Sequence, residues 1–393
     1  FILLFKPQFD VSRFSPKKRG VADQDEAEKS FEEMLQFLRA LRLNVRMSRP
    51  SAVKGLKGNQ ETFIMVEAMP SEIFRTYDIR GLADRDLPND GVYRIGRAFG
   101  SILKSRRPDA KVGVGRDERL SSPRIFKSLA HGLSQSGVEV VELGTTTTPQ
   151  VYFAHYHFNL DAIIQVTASH NPKDDNGMKM MLQKETLFGD EIQRLGREVL
   201  HYSEVFDESQ AMSKTYPSYA DELQVAYADY LIRTIKVSKK YRIAVDCGNG
   251  MTGKVARRVF SHYASELEIL FEEVDCRFPH HEADPTVVAN LKDLQSLMKK
   301  KTFDVGFAFD GDGDRLGVLT SSGRILWGDE ILMLLSELVL KQKPGSTIIG
   351  EVKCSEKLFR MVESRGGQSL MYKTGHSLIK KKMKEVGAPL AGE

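Results

Sequence analysis

From residue 111 onward, apolar stretches of five or six residues alternate with amphipathic stretches of helical length. Short apolar stretches bounded by turn residues are typical of buried strands, and apolar positions three or four residues apart are typical of helices on a sheet. This order predicts an α/β fold of successive βαβ units with mixed, mainly parallel sheets, whose functional loops follow the strands. The predicted strands are 111–115, 138–143, 161–166, 242–246, 267–271, 304–309 and 346–350, and the predicted helices are 123–135, 149–157, 288–300 and 356–365.

The first 68 residues lack this alternation. Within 23–43, apolar residues recur at helical spacing, which predicts a docking or coiled helix. A linker through Pro50 and Gly58 is expected after it, and no chemistry is assigned to this region. The apolar positions of the predicted helix are Phe31, Met34, Leu35, Leu38 and Leu41.

Composition narrows the class of protein only a little. The 393 residues are 41% hydrophobic and 28% charged, enough for roughly two to four domains and against disorder. A net charge of +4 is too small to indicate nucleic-acid binding. The isolated Cys247, Cys276 and Cys354 disfavour structural zinc and disulfides and favour a reducing, cytoplasmic location. No apolar run approaches the ~18–20 residues of a membrane span.

Three carboxylates occur within five residues, at Asp310, Asp312 and Asp314, with glycines between them. Like charges this close repel one another unless a cation neutralises them, and oxygen ligands suit Mg²⁺ or Ca²⁺. An EF-hand is disfavoured because Arg315 occupies its glycine position and Ser321 its final glutamate position. The remaining alternative is a solvated acidic turn.

A second polar loop, Thr-Ala-Ser-His-Asn-Pro at 167–172, directly follows a predicted strand. Alone, Ser169 beside His170 is explained as well by capping as by nucleophilic chemistry. The acidic loop at the corresponding place in the next unit favours phosphoryl chemistry, in which a phosphate-bearing serine shares the cation. Lys179 is then a candidate proton carrier or phosphate ligand, and the alternative is an exposed lysine in a strand.

Three other basic segments have a structural interpretation, and the first two of them also have a functional one. In 74–81, Arg80 is suited to grip phosphate with its planar guanidinium or to form an ion pair with Asp78. The loop 115–122 leads into a helix N-terminus, which favours anions but is also ordinary capping. The run of lysines at 380–384 is most simply a solvated helix face.

Taken together and in this order, five segments resemble the signature loops of the α-D-phosphohexomutase family, in its bacterial phosphomannomutase/phosphoglucomutase branch. The resemblance covers residues 69–393. Long motifs at family-like separations make it specific. The segments are 74–81, 167–172, 310–315, 350–353 and 373–376.

The resemblance implies a role for each matched position. Ser169 is the implied phosphoserine, and with Asp310, Asp312 and Asp314 it is expected to hold Mg²⁺. The other residues implied are His170, Lys179, Arg80 and Arg315 in catalysis, and Tyr77, Lys353, Gly375, His376 and Glu393 in substrate binding.

The activity that the resemblance implies is an intramolecular phosphotransfer within carbohydrate metabolism. Hexose 6-phosphate and hexose 1-phosphate, of mannose and glucose, interconvert through a 1,6-bisphosphate. The expected protein is a cytoplasmic monomer with phosphosugar substrates and no nucleic-acid or membrane partner. Phosphoglucosamine mutase is the alternative within the fold, which the sequence of 74–81 disfavours. A non-catalytic phosphosugar-binding or Mg²⁺-binding fragment is the alternative outside it.

The resemblance also divides the chain into domains. An N-terminal extension or linker, 1–68, precedes domain I with the phosphoserine loop, 69–218, and domain II with the metal loop, 219–325. Domain III, 326–393, is expected to be incomplete and domain IV absent, because the chain stops at Glu393 where the family's sugar-binding loop continues. We therefore expect a fragment of a longer gene product that is inactive, or nearly so, alone.

Overall fold

The computed structural model of the chain describes residues 2–6, 24–40, 43–53, 60–68, 70–202 and 206–392. Within these ranges, four sheets follow one another along the chain and helices pack against them. Parallel and antiparallel strand pairs both occur, so the predicted α/β class with mixed sheets is confirmed. No helix in these ranges is long and apolar enough to cross a membrane.

The chain before residue 70 forms a small sheet covered by one helix, α1 (Gln24–Ala40). The helix was expected, but the prediction of a linker after it is wrong for residues 43–50 and 62–68, which are strands. Leu35 and Leu38 of α1 pack against Phe5 and Ile64 of the sheet, because both elements bury one apolar face. The strands are β1 (Ile2–Phe5), β2 (Leu43–Pro50) and β3 (Thr62–Ala68), in the antiparallel order β1-β3-β2.

Two positions of the N-terminal prediction, Leu41 and Gly58, lie outside the described residues.

The next sheet has parallel strand pairs at its centre and antiparallel pairs beside them. All five residues of its strand β7 are buried. Since β7 runs directly into 167–172, that loop lies at the carboxyl edge of the sheet, as predicted. The strands are β4 (Ile79–Leu82), β5 (Lys111–Arg116), β6 (Glu139–Thr145), β7 (Ala162–Val166), β8 (Asp175–Leu182) and β9 (Glu185–Thr186), in the order β4-β8-β7-β5-β6 with β9 on β8.

Six α-helices accompany this sheet within the described residues. Two of them cross at glycines: a Cβ atom on Gly132 would lie only 2.0 Å from the carbonyl oxygen of Tyr93. Only glycine permits so close an approach of two helix backbones. The helices are α2 (Ala83–Asp86), α3 (Asn89–Arg106), α4 (Ser122–Gln135), α5 (Thr148–His157), α6 (Asp190–Glu198) and α7 (Glu208–Ser213).

The third sheet along the chain is covered by helices on both faces. Two helices, α8 (Ala220–Thr234) and α9 (Gly253–Tyr263), pack on one face, and α10 (Lys292–Lys300) packs on the other. Its central strand β12 ends at Phe309, so the acidic segment 310–314 begins at the carboxyl edge. The strands are β10 (Tyr241–Asp246), β11 (Ala264–Leu270), β12 (Val305–Phe309), β13 (Leu316–Thr320) and β14 (Ile325–Leu326), in the order β11-β10-β12-β13-β14.

The last sheet is entirely parallel within the described residues, with the order β16-β15-β17. Its final helix begins immediately after Gly375 and ends at Gly387, whose left-handed φ of 64° stops the helix. The strands are β15 (Thr347–Glu351), β16 (Gln368–Tyr372) and β17 (Leu390–Gly392), and the helices are α11 (Gly328–Gln342), α12 (Glu356–Ser364) and α13 (His376–Val386).

Candidate active site

The loop 167–172 holds its central serine in an unfavourable backbone conformation. Ser169 has a φ of 54°, which costs a non-glycine residue on the order of 1 kcal/mol, so other contacts have to maintain it. Arg119 provides them, because its buried guanidinium donates to the carbonyl oxygens of Ser169 at 2.9 Å and Asn171 at 2.7 Å. Asp117 pairs with the same guanidinium at 3.1 Å.

This arrangement gives the segment 115–122 a role that its sequence did not reveal. We expected an anion-binding loop or an ordinary helix cap. Instead Asp117 and Arg119 are almost completely buried, at 2% and 1% exposure, and support the neighbouring loop. A basic residue flanked by acidic ones in a loop is too common a pattern to indicate such a contact in advance.

The Ser169 side chain points at the acidic loop of the next domain. Its hydroxyl is buried and donates to Asp310 Oδ2 at 2.7 Å. His170 Nδ1 lies 3.3 Å from the same hydroxyl oxygen, although neighbouring side chains in a chain usually diverge. The two segments that sequence analysis paired by their chemistry are therefore in direct contact.

The acidic loop wraps around Asp310. Asp310 Oδ1 accepts the backbone N–H groups of Asp314 at 2.9 Å and Arg315 at 3.0 Å, and Gly313 supplies a positive φ of 74°. One carboxylate oxygen from each of Asp310, Asp312 and Asp314 lies within 4.8 Å of the others. Short polar residues and glycines thus produce a compact carboxylate cluster.

Lys179 on β8 reaches into this cluster. Its Nζ lies 2.6 Å from Asp312 Oδ2 and 2.6 Å from Asp314 Oδ2, and its side chain is only 12% exposed. The alternative of an exposed strand lysine is therefore wrong. Burial alone would lower the pKa of Lys179, but the two carboxylates outweigh it and raise the pKa. The side chain is consequently an ammonium ion at neutral pH.

The pKa values of two buried carboxylates, Asp310 and Asp312, are shifted in opposite directions. Burial, reinforced by Asp312 and Asp314, raises the pKa of Asp310 well above its ordinary value. Burial also opposes ionisation of Asp312, but the Lys179 ammonium outweighs it and lowers the pKa of Asp312. One lysine therefore does not compensate the full negative charge of the cluster, and a further cation would favour its ionisation.

Asp312 offers an additional test of whether the cluster fits a metal ion. Its Oδ2 accepts from Lys179 and from the hydroxyl of Thr148. Its Oδ1 is buried and has no hydrogen-bond partner among the described residues. An unpaired buried carboxylate oxygen is costly, and a hard divalent cation satisfies it in an all-oxygen site. The acidic triad therefore fits a metal ion.

The N-terminus of α5 abuts the acidic loop. The backbone N–H of Thr148 donates to the carbonyl oxygen of Asp312 at 2.9 Å, and Thr147 and Gln150 form a capping box that defines this helix end. Thr148 was missed by sequence analysis. The capping signal at 147–150 marks a helix start, but not what the helix touches.

Arg80 supports the serine loop from the other side. Its guanidinium donates to the carbonyl oxygen of Ala168 at 3.0 Å and to Asn171 Oδ1 at 2.7 Å. It also forms an ion pair of 2.6 Å with Asp78, as the structural interpretation proposed. The ion pair and the loop contacts thus occur together.

Arg315 and Asp284 flank His170. Arg315 Nη1 lies 3.6 Å from Asp284 Oδ2. Burial, with the positive charge of Arg315 as the next cause, lowers the pKa of His170. The imidazole is therefore neutral at pH 7 and able to accept a proton. Asp284 was not among the predicted site residues.

A second cluster forms around a buried carboxylate, Glu351. Lys353 Nζ lies 3.2 Å from Glu351, and the Thr374 hydroxyl donates to it at 2.7 Å. The Tyr77 hydroxyl donates to the Thr374 carbonyl at 3.4 Å, so predicted substrate-binding residues from two domains meet here. Gly375, with a φ of 125°, leaves room for Tyr77, since a Cβ would lie 2.1 Å from that hydroxyl.

The last two predicted site residues are not placed. The backbone of His376 begins α13, but its side chain lies outside the described part of the chain, as does the whole of Glu393. Sequence analysis also missed Glu351 as a contact residue, although the segment 350–353 had been singled out.

Comparison with known proteins agrees with this arrangement. The family models Phosphoglucomutase/phosphomannomutase, alpha/beta/alpha domains I, II and III, match residues 71–204, 218–323 and 327–393. A phosphomannomutase/phosphoglucomutase of Pseudomonas putida is 41% identical over 326 residues, which cover 83% of this chain and 69% of that protein. A phosphoglucomutase of Neisseria gonorrhoeae is 40% identical, with 82% of this chain and 69% of that protein covered.

A solved structure supports the same assignment. The phosphoglucomutase/phosphomannomutase family protein of Burkholderia thailandensis is 42% identical and superposes with a TM-score of 0.76, covering 82% of this chain and 70% of that one. The successive α/β domains and their polar loops define a phosphohexomutase. The chain belongs to the phosphoglucomutase/phosphomannomutase family of the α-D-phosphohexomutases.

Proposed function

We propose that the protein interconverts the 6-phosphates and 1-phosphates of mannose and glucose through a phosphorylated Ser169 and a hexose 1,6-bisphosphate. The observation that carries this proposal is the buried Ser169 hydroxyl, hydrogen-bonded to Asp310 inside a cluster of three carboxylates. The names of the relatives, phosphomannomutase/phosphoglucomutase and phosphoglucomutase, support the two sugars.

The cycle consists of two phosphoryl transfers. In the first, the bond from phosphorus to Ser169 Oγ breaks, and a bond from phosphorus to the free sugar hydroxyl oxygen forms. That hydroxyl loses its proton, and Ser169 Oγ recovers one. After the bisphosphate turns around, Ser169 Oγ takes the other phosphoryl group, which leaves the isomeric monophosphate.

We assign the metal site to Asp310, Asp312, Asp314 and the phosphate on Ser169, and its ion to Mg²⁺. All donors are oxygen atoms, and Asp312 Oδ1, which is unpaired among the described residues, is the clearest candidate for a metal ligand. When bound, the ion would offset negative charge on the transferring phosphoryl group. Thr148 holds Asp312 in place by its backbone N–H.

His170 and Lys179 have different roles in this proposal. His170 is neutral because burial lowers its pKa, and it lies 3.3 Å from Ser169 Oγ, so it is suited to carry the proton that leaves or returns there. Lys179 is held as a cation by Asp312 and Asp314. It is therefore suited to stabilise phosphate charge and not to accept protons.

The cluster around Glu351 is assigned to sugar binding. Lys353, 72% exposed, presents its ammonium at the surface while Glu351 orients it. Thr374, Gly375 and Tyr77 form the adjoining surface. Hydroxyl groups of a hexose suit such a mixture of charged and neutral polar partners.

The experiment is a substrate comparison with the protein expressed from its complete gene. Mannose 1-phosphate, glucose 1-phosphate and glucosamine 1-phosphate are supplied with Mg²⁺ and glucose 1,6-bisphosphate, and the 6-phosphates are followed by ³¹P NMR. We expect turnover of the first two. A preference for glucosamine 1-phosphate would support the alternative within the fold, and absence of all three products would support the non-catalytic alternative.

Removal of one metal ligand gives a separate prediction. We expect Asp312→Asn to weaken Mg²⁺ or Mn²⁺ binding by roughly 10- to 100-fold, because a neutral amide replaces a buried anionic oxygen donor. Manganese EPR titration measures this without any turnover. Asp221→Asn, which removes an exposed carboxylate on α8, is the control and keeps the affinity of the unmodified protein. Equal affinity in both variants would contradict the assignment.

Several sequence predictions stay predictions. They are the domain boundaries at 68, 218 and 325, the monomeric state and the cytoplasmic location.

A further inference from the structure

Helix α13 faces the sheet of strands β4–β9 and its helices across a cavity. The cavity has a volume of about 890 Å³ and lies between residues such as Tyr156 and Phe188 on one side and Met383 and Ala388 on the other. A space of this size means that this part of α13 is not held by continuous apolar packing. Individual contacts that cross the gap therefore have a large influence on where the helix lies.

One contact across the gap joins Lys380 of α13 to Tyr152 of α5. Lys380 Nζ lies 4.7 Å from the centroid of the Tyr152 ring, within the range of a cation–π interaction. Tyr152 is half-buried and Lys380 is exposed, and burial raises the pKa of Tyr152 to about 12. The neighbouring pair, Lys384 with Glu185, is exposed at both ends and is correspondingly weak.

Lys380 is exposed, as expected for a solvated helix face over 380–384, but it also contacts the Tyr152 ring.

Both residues of this contact lie one helical turn from a site residue. On α5, Tyr152 is four residues after Thr148, whose N–H holds Asp312, so both are on the same helix face. On α13, Lys380 is four residues after His376, at the helix start that adjoins Gly375. Two short helical segments therefore connect the acidic loop to the predicted sugar loop through this contact, in addition to the direct contact of Tyr77 with Thr374.

We propose that Tyr152 and Lys380 are a positioning pair that docks α13 on the phosphoserine domain and sets the spacing between the sugar loop, 373–376, and Ser169. This inference rests on the proposed function in one respect. The spacing matters only if a sugar phosphate binds between the sugar loop, 373–376, and the serine loop, 167–172. Both residues lie within electrostatic range of Lys179 and Asp314, but within the described part of the chain neither hydrogen-bonds to them. The pair affects substrate binding more than phosphoryl transfer.

A distance measurement tests the docking without any turnover. Spin labels are placed on exposed positions by Arg194→Cys on α6 and Glu385→Cys on α13, with Cys354→Ser, since Cys247 and Cys276 are buried. Pulsed EPR is expected to show one narrow distance distribution. Lys380→Gln and Tyr152→Leu should broaden or lengthen it. Lys381→Gln, which removes an exposed charge from the same helix, should leave it unchanged.

Kinetics test the consequence for the reaction. In the protein from the complete gene, Lys380→Gln and Tyr152→Leu should raise KM for mannose 1-phosphate about 2- to 5-fold, the loss of one exposed cation–π contact, and change kcat less than about 1.5-fold. Lys380→Arg and Tyr152→Phe keep the cation and the ring. They should therefore stay within about 1.5-fold of the unmodified KM.

The two measurements separate the possible failures. Identical distance distributions and KM values for Lys380→Gln and Lys381→Gln would overturn the pair while the mutase activity stands. Absence of turnover in the unmodified protein, with a distribution that Lys380→Gln broadens, would overturn the proposed function but support the docking. A large loss of kcat at unchanged KM would overturn the positioning role, since it would point to participation in chemistry.

Discussion

Replacing Ser169 with alanine is expected to lower kcat/KM by a factor on the order of 10⁵, because the variant has no oxygen atom to carry the phosphoryl group. Asp310 Oδ2 loses its hydrogen-bond donor, but the loop itself is held by backbone contacts to Arg119, which do not involve the removed hydroxyl. Folding should therefore be little affected. The coupled mutase assay gives the rate, and incubation with ³²P-labelled glucose 1,6-bisphosphate followed by peptide mapping gives the labelled position.

Ser105→Ala is the matched control, because it removes an exposed hydroxyl on α3. It should retain both activity and label. Substrate affinity of Ser169→Ala, measured by calorimetry with glucose 1-phosphate, should remain within about 3-fold of the unmodified protein, since the sugar cluster is intact. Unchanged turnover in Ser169→Ala, or a label on another residue, would eliminate the phosphoserine mechanism.

Sequence analysis found the parts of the site whose functional residues lie close together within one short segment. Three aspartates with intervening glycines, placed directly after a buried strand, define a turn and a cluster of charge within one short segment. The serine loop is recognised in the same way, because it follows directly after β7, a mainly apolar strand whose five residues are all buried. Strand ends in parallel sheets gather at one edge, so local patterns were sufficient to place these loops.

What sequence analysis missed depends on contacts between distant segments. Arg119 supports a loop whose first contact, Ser169, is 50 positions away, and Thr148 holds an aspartate 164 positions away. Neither residue has an unusual local pattern. The small N-terminal sheet was missed for a related reason: β2 contains Arg49 and Pro50 among its apolar residues, and its pairing with β3 outweighs its weak strand propensity.

Arg119 shows how much the site depends on such a distant contact. It is among the largest fully buried side chains, with 1% exposure. Its guanidinium donates to the carbonyl oxygens of Ser169, Asn171 and Asp175 and pairs with the equally buried Asp117. A planar fork of donors is required to reach several carbonyl oxygens at once. Together with Arg80, which donates to the carbonyl oxygen of Ala168, this side chain therefore maintains the positive φ of Ser169 that directs its hydroxyl at Asp310.

We expect Arg119→Met to lower the free energy of unfolding by about 3–5 kcal/mol, because it leaves the Asp117 carboxylate buried without its cation. Loss of the carbonyl contacts should also let Ser169 relax, and misplacement of a reacting group by about 1 Å costs roughly 10²-fold in rate. Urea denaturation measures the first effect and mutase kinetics the second. Arg277→Met, which removes an exposed guanidinium, should change stability by less than about 0.5 kcal/mol.

A double variant separates stability from positioning. Arg119→Met combined with Asp117→Leu removes both charges, and replacing a buried ion pair by apolar groups of similar size is often close to neutral. We therefore expect the double variant to recover part of the lost stability, since Asp117→Leu also leaves the buried Ser122 hydroxyl without its acceptor. Its kcat should stay low, because no guanidinium remains to hold the carbonyl oxygens of the serine loop. Recovery of full activity together with stability would show that the loop keeps its geometry without Arg119, and that the positive φ of Ser169 has another cause.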